Sequence, residues 1–342
     1  MVFPSDTALP QGSLILITGA NSLVGSHAAD QFLKYGYKVR GQVRNSTRGS
    51  WMKTLFDSRY GPGKFELVEA TELEKPGSLD EAVKGVDGVV HTASILTFSP
   101  DPNEVILPAV ALVESVLGSA AKESSVKRFV FTSSSSAVAD PSKADQVYDV
   151  THDTWADWTL EDAWRPPPYD SDRIYSVYAA SKLESERTVW KFVKEKKPHF
   201  VANAVLPDFV CGAPLSTKDQ GYPSTAGMTK TLWDGQEPFP LAPQHMVGTH
   251  DIGALHVAAA IKEDVQNERV FGYAWPKSWT TMAEVMAKLD PGRKLGKLAE
   301  GEGVDRANIL PRARAEELLK WLGLDGFEPF EDSVKDLCES FE

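Results

Sequence analysis

A chain of 342 residues, 42% of them apolar, is long enough for one large α/β domain with an appended lobe, and too apolar for disorder or a fibre. Its 36 basic and 48 acidic residues leave a formal charge of −12, which sets nucleic acid and anionic membrane surfaces aside as partners. One stretch runs the other way: residues 31–56 hold Lys34, Lys38, Arg40, Arg44, Arg48 and Lys53 and no acid, a +6 window in a −18 remainder. The two cysteines, Cys211 and Cys338, are far apart and form no paired motif, which suits a reducing compartment and gives no zinc site. The opening residues Met1, Val2, Phe3, Pro4, Ser5 and Asp6 lack a charged and then apolar leader, and no apolar run approaches the roughly 18 residues of a membrane span. The expectation is a cytoplasmic protein without a metal.

In chain order, Ser13–Thr18 reads as a buried strand ending at Gly19, and Val24–Tyr35 as a helix stopped by Gly36. Tyr37–Val43 and Phe65–Val68 read as strands. A helix holding Asp80, Glu81, Ala82 and Val83 ends at Gly85, and Gly88–His91 is a fourth strand. A long helix over Val105–Lys122 takes Pro108 in its first turn. Lys127–Ser133 is a fifth strand. Residues 140–173, with Trp155, Trp158, Trp164 and three consecutive prolines, break the rhythm as a surface excursion or lid. Then come a helix over Tyr175–Lys196, a strand over Phe200–Leu206, a loop-rich segment 208–246, a helix over His250–Ile261 and a strand over Arg269–Ala274. The remainder, 276–342, reads as helical, acidic and peripheral. Repeated strand–helix units predict a Rossmann-type doubly wound parallel sheet in the α/β class. We expect residues 1–206 plus 247–275 to form the nucleotide-binding domain, and 207–246 plus 276–342 a smaller substrate lobe.

Such sheets bind ligands at the carboxyl ends of their strands. The first such turn runs Thr18-Gly19-Ala20-Asn21-Ser22-Leu23-Val24-Gly25. Glycine and small residues there let the backbone approach a pyrophosphate on the helix N-terminus, although an ordinary tight turn reads the same way. The second strand ends Gly41-Gln42-Val43-Arg44, without the acid that binds a ribose hydroxyl in NAD sites. Arg44 and Arg48 suit a 2′-phosphate instead, which predicts NADP(H). Of three Tyr-x-x-x-Lys matches, those starting at Tyr60 and Tyr273 contain proline, and the first two glycines as well. Tyr178-Ala-Ala-Ser-Lys182 lies in a helical run, where positions i and i+4 share a face. A neighbouring ammonium favours phenolate and lowers a tyrosine pKa, which suits Tyr178 as a general acid. The fifth strand closes on four serines, Ser133 to Ser136, facing the same crevice.

The segments TGANSLVG at 18–25, YKVRGQVR at 37–44, HTAS at 91–94, KRFVFTSSS at 127–135, THDTWAD at 151–157, YAASK at 178–182 and NAVLP at 203–207 together resemble an extended short-chain dehydrogenase/reductase. Within that superfamily the chain is similar to fungal NADPH-dependent carbonyl (aldehyde) reductases and to plant dihydroflavonol and cinnamoyl-CoA reductases. The likeness covers about residues 12–275. It implies that Ser134 is the catalytic serine, with Ser135 as runner-up, that Tyr178 donates the proton, and that Lys182 lowers its pKa and holds the nicotinamide ribose. It also implies that Thr18, Gly19, Asn21, Ser22, Leu23, Thr92, Ala93, Ser94 and Pro207 line the cofactor, with Arg44 and Arg48 on its 2′-phosphate. Three residues depart from the pattern. Ser22 replaces a middle glycine and is expected to crowd the pyrophosphate; Glu72 stands where an Asp often meets the adenine; Asp208 follows Pro207 where the fungal reductases carry Asn. Ser135, Asp208, Phe209, Trp233 and Gln244 are candidates for the substrate side; surface or structural roles are expected for His245 and His250. An aromatic-rich segment with only Lys218 and Lys230 as cations points to a neutral, bulky aldehyde or ketone. A sugar-nucleotide epimerase or dehydratase and a non-catalytic NADP(H) sensor are the competing readings, and a monomer or homodimer is expected.

Overall fold

The structure, a computed structural model, describes residues 3–341; Met1 and Val2, which open the stretch expected to lack a leader, and Glu342 lie outside the described residues. Seven strands form one parallel sheet: β1 (Leu14–Thr18), β2 (Lys38–Val43), β3 (Phe65–Glu69), β4 (Gly88–His91), β5 (Arg128–Thr132), β7 (Val201–Pro207) and β10 (Arg269–Gly272). Their spatial order is β3-β2-β1-β4-β5-β7-β10. The order reverses between β1 and β4, so the crevice at the carboxyl ends of these two strands is the topological switch point. The sequences LILIT, GVVH and RFVFT are near-continuous apolar runs because helices cover both faces.

Helices α1 (Leu23–Lys34), α2 (Ser46–Tyr60), α8 (Thr249–Ile261) and α10 (Arg312–Trp321) belong to the core on one face, which includes Phe32, Met52, Phe56, Leu255 and Leu318. Helices α3 (Pro102–Lys122) and α5 (Ile174–Lys196) cover the other, around Val113, Leu117, Phe129 and Val189. A second sheet joins β8 (Phe209–Cys211), β9 (Gln244–Gly248) and β11 (Trp275–Lys277) in the order β11-β9-β8. Helices α6 (Thr217–Gln220), α7 (Thr225–Trp233), α9 (Trp279–Leu289) and α11 (Phe330–Glu339) complete the carboxyl side.

Four expectations are corrected. No regular helix spans 80–85: Pro76, Gly77 (φ 85°) and Gly85 (φ 69°) break the segment into successive turns. Helix α3 begins earlier, because Asp101 caps it through the Asn103 N–H and Pro102 fills its first position. Pro108 therefore lies inside the helix rather than in its first turn. By length and composition α3 is also apolar enough to cross a membrane, contrary to expectation; here 56% of its most apolar stretch is buried, against the sheet and α5. Finally, the excursion 140–173 and the C-terminal region are tied together. Strands β6 (Asp149–Val150) and β12 (Asn308–Ile309) pair in parallel, while α4 (Trp158–Ala163) buries Ala163 beside Val177 and Ala180 of α5. Nor is the C-terminal region merely peripheral, since α10 buries Ala315, Leu318 and Leu319 in the core.

Candidate active site

The carboxyl ends of β1, β4, β5 and β7 converge at the switch point. Thr18 closes β1, and its Oγ1 is hydrogen-bonded to His91 Nδ1 at 2.7 Å while accepting from the Ala93 N–H at 3.2 Å. Thr92 Oγ1 donates to the Thr18 carbonyl at 2.6 Å. These bonds fasten the two loops flanking the crevice to each other. Ser94 lies half-buried in the second of them.

The β1–α1 turn has the shape a pyrophosphate needs. Gly19 adopts φ 62°, and a Cβ there would stand 3.0 Å from Ala93 Cα. A Cβ on Gly25 would overlap the Gly19 carbonyl oxygen and stand 2.8 Å from Thr92 Oγ1. Ser22, expected to crowd this turn, is the N-cap of α1: its hydroxyl turns back to accept from the Gly25 N–H at 3.0 Å. Leu23 is buried at the start of the helix and Asn21 is exposed. Sequence reasoning missed two residues that brace the turn. Gln42 accepts from the Gly19 N–H at 2.9 Å and donates to the Ala70 carbonyl at 2.7 Å. Gln220 of α6 reaches over it to the Asn21 carbonyl and to Ser26 Oγ.

At the end of β2, Arg44 and Arg48 are exposed, and neither side chain makes an ion pair or hydrogen bond with any described residue. Arg40, from the same basic window, is held instead by Glu66 and the carbonyls of Ala82 and Lys84. One acid does stand close to this region. Glu69 accepts from the N–H and hydroxyl of Ser46 at the start of α2, at 2.8 and 2.7 Å. Glu72 is exposed at φ 52° and paired with Lys75.

The four serines after β5 have four different partners. Ser133 donates to Glu186 Oε2 at 2.6 Å, joining a buried ion pair in which Arg269 Nε donates to Glu186 Oε1 at 2.6 Å. Ser134 lies against the Tyr178 phenol and donates to Ser136 Oγ at 3.2 Å. Ser135 adjoins the Asp208 carboxyl, and Ser136 the Tyr175 phenol. Sequence alone could not divide them, because every partner except Ser136 lies at least about forty residues away or on another element.

Burial raises the Tyr178 phenol above its ordinary pKa, the Ser134 hydroxyl pulls it down, and the Asp208 charge pushes it up. The expected lowering by Lys182 is therefore not what the structure shows. The Lys182 ammonium is directed to the Thr132 carbonyl at 3.2 Å and lies 5.9 Å over the Phe131 ring. Burial brings its own pKa down to about 8, against the Glu186 charge. Phe98, which the sequence did not single out, sits at φ 51° with its ring 5.7 Å from Tyr178; it is 44% exposed.

On the substrate side, Pro207 ends β7 and is buried, and Asp208 follows it at 8% exposure. Asp208 Oδ2 accepts from the His245 N–H at 2.8 Å, and burial lifts the carboxyl to about 6. His245 Nδ1 is 3.0 Å from Asp305, so that histidine is structural, as expected. Phe209 is buried edge-on to Trp279, with the Lys277 ammonium 4.2 Å from its ring centre. Gln244 begins β9, half-buried. Trp233 is a correction: it is core, packed on Phe341 and stacked with the Arg293 guanidinium 3.9 Å away.

The sequence profile described as the NAD dependent epimerase/dehydratase family matches residues 15–210. Over 339 residues the chain is 37% identical to aldehyde reductase 2 of Sporidiobolus salmonicolor, covering 98% of both chains. It is 35% identical over 340 residues to the NAD-dependent epimerase/dehydratase terH of Aspergillus terreus, covering 98% of this chain and 99% of that one. The crystal structure of Gre2 in complex with NADPH from Candida albicans shares the fold, with TM-score 0.82 and 21% identity over 96% of this chain and all of that one. The parallel sheet with its switch-point crevice, the glycine turn and these matches lead to one assignment: the chain belongs to the NAD-dependent epimerase/dehydratase family, the extended branch of the short-chain dehydrogenases/reductases.

Proposed function

We propose that this protein reduces bulky, apolar aldehydes or ketones to alcohols with NADPH, and that Tyr178 donates the proton. The observation that carries the reading is the Ser134 hydroxyl on the Tyr178 phenol at the end of β5, with Lys182 one helical turn along α5 and its ammonium on the Thr132 carbonyl. The residues present fit a dinucleotide. The turn is so close that side chains at Gly19 and Gly25 would collide with backbone, and the N-terminus of α1 faces it. Arg44 and Arg48 are two guanidiniums unpaired among the described residues and suited to a 2′-phosphate, with Glu69 opposing them nearby. NADPH, when bound, supplies the hydride.

The protein's own groups do the rest. A phenol raised by burial stays protonated at neutral pH and is a competent acid toward an oxygen gaining negative charge. Ser134 donates a second hydrogen bond to that oxygen. As the C–H bond forms and the carbonyl π bond breaks, the Tyr178 proton moves to oxygen and leaves a phenolate. Lys182, one helical turn along α5, would hold the nicotinamide ribose. Against the epimerase reading, residues 208–250 hold no Arg to clamp a sugar nucleotide and only two lysines, Lys218 and Lys230, of which Lys230 is already paired with Asp234 at 2.6 Å. A screen of NADPH consumption over aryl ketones, aldehydes, β-keto esters and flavonoids tests the reading. Turnover of at least one bulky apolar class is expected, and no turnover of any would overturn it.

A further inference from the structure

At the carboxyl ends of β7 and β10, two buried polar atoms have no hydrogen-bond partner among the described residues: Asp208 Oδ1 and the Tyr273 hydroxyl. Buried polar groups are nearly always paired, so two orphans together need an occupant. They belong to one cluster: the Asp208 N–H donates to the carbonyl of Gly272, the neighbour of Tyr273, at 3.2 Å, and the Tyr273 ring lies 5.7 Å from that of His245, whose N–H donates to Asp208. Asp208 is held in place, with Oδ2 committed to the His245 N–H, and His245 is itself fixed by Asp305. The Ser135 hydroxyl adjoins the carboxyl without making a well-aligned bond to Oδ1. Tyr273 is 1% exposed, on the segment joining β10 to β11.

The chemistry of the two atoms defines what fits. A carboxylate oxygen accepts, and a phenol hydroxyl donates. A group that both donates and accepts satisfies the pair, whereas an ether or a second carbonyl satisfies only the phenol. We propose that Asp208 and Tyr273 form a subsite for a hydroxyl group of the substrate, so that the preferred substrates are hydroxylated ketones or aldehydes and the products diols. This rests on the carbonyl-reductase reading and narrows its substrate class: an apolar body with one hydroxyl near the reacting carbon.

Matched ketones test it: β-hydroxypropiophenone, its methyl ether, unsubstituted propiophenone, and β-dimethylaminopropiophenone, which as the ammonium only donates. The wild type should reduce the hydroxy ketone with kcat/KM at least about tenfold above the ether. Asp208→Asn keeps an acceptor for the His245 N–H and puts an amide donor where Oδ1 stood, so the hydroxyl-to-ether ratio should fall to within about threefold. Tyr273→Phe should lower the same ratio and serves where the first variant does not fold. Tryptophan-fluorescence titration of the cofactor-free protein with the hydroxy ketone and the ether should show the same order of affinity. Equal reduction and equal binding of hydroxy ketone and ether by the wild type would show that water alone fills the site. A preference for the ammonium ketone over the hydroxy ketone would overturn the hydroxyl assignment in favour of a cation. Either result leaves the reductase reading standing if propiophenone is turned over; failure to reduce or bind any of the four overturns the subsite, and the reductase reading falls with it only if the wider screen shows no turnover either.

Discussion

Replacing Gly25 with alanine tests whether the β1–α1 turn is as close as the structure has it. A Cβ at this position overlaps the Gly19 carbonyl oxygen, which is backbone and already accepts from the Ser22 N–H at 2.9 Å. It also stands 2.8 Å from Thr92 Oγ1 and 2.9 Å from Ser22 Oγ. The two hydroxyls can rotate, but that breaks the cap on Gly25 N–H and the Thr92 bond to Thr18. The carbonyl cannot rotate away, so α1 must retreat from the turn. Overpacking of this kind costs about 1–3 kcal/mol and loss of the cap about 1 more. Alanine's better helix propensity returns only about 1 kcal/mol, so destabilisation wins, at roughly 1–3 kcal/mol net. The retreat also moves the amides that face the pyrophosphate, and the NADPH Kd should rise at least about tenfold. Gly118→Ala is the control: it lies in α3 with nothing within 4 Å of an added Cβ, and should be neutral or stabilise by up to about 1 kcal/mol. Urea unfolding and NADPH fluorescence titration read both effects. A Gly25→Ala variant with wild-type stability and wild-type Kd would refute the geometry.

Removing both guanidiniums with Arg44→Ala and Arg48→Ala should raise the NADPH Kd about tenfold to a hundredfold and leave NADH binding nearly unchanged, which titration with each cofactor checks. Because both side chains are exposed, the NADPH affinity of the wild type should fall with added salt, and the double variant's less so. Acidification provides an independent test of the core. Burial holds His256 at about 4 and His27 at about 4, below the ordinary 6.5 of the unfolded chain. The unfolded state therefore binds more protons below pH 6.5, and stability falls as the pH drops from there toward 4, by about 3 kcal/mol for His256 alone. His256→Gln should flatten the decline of Tm across that window; an unchanged slope would mean that this histidine titrates normally in the folded protein.

What the sequence could show follows from which interactions are local. The YAASK pair is legible because i,i+4 spacing puts Tyr178 and Lys182 on one face of a helix whatever surrounds it. Strands β1, β4 and β5 are legible because burial on both faces leaves continuous apolar runs. Gly85 does mark a stop, at φ 69°, but the stretch holding Asp80 to Val83 that leads to it is a series of turns, entered through Gly77 at φ 85°, rather than a helix. The division of labour among Ser133, Ser134, Ser135 and Ser136 depends on Glu186, Tyr178, Asp208 and Tyr175, residues that only the fold brings close. Gln42 and Gln220 carried no signal, because a glutamine that clamps backbone looks like any surface glutamine. Trp233 was drawn toward the substrate by its neighbours in sequence, yet its contacts are Phe341 and Arg293. The +6 window divides in the same way. Arg40 is spent on Glu66 and two carbonyls and Lys53 on Asp57, whereas Arg44 and Arg48, at the end of β2, make no ion pair with any described residue.

The central claim is that the Tyr178 hydroxyl delivers the proton. Tyr178→Phe removes that oxygen while keeping the ring that meets Phe98 at 5.7 Å, so folding and cofactor binding should persist. Measured on the best aryl ketone with saturating NADPH, kcat should fall by about a hundredfold or more, the usual scale for losing a positioned acid, while the NADPH Kd stays within about threefold of wild type. A variant that turns over at close to the wild-type kcat would contradict the account.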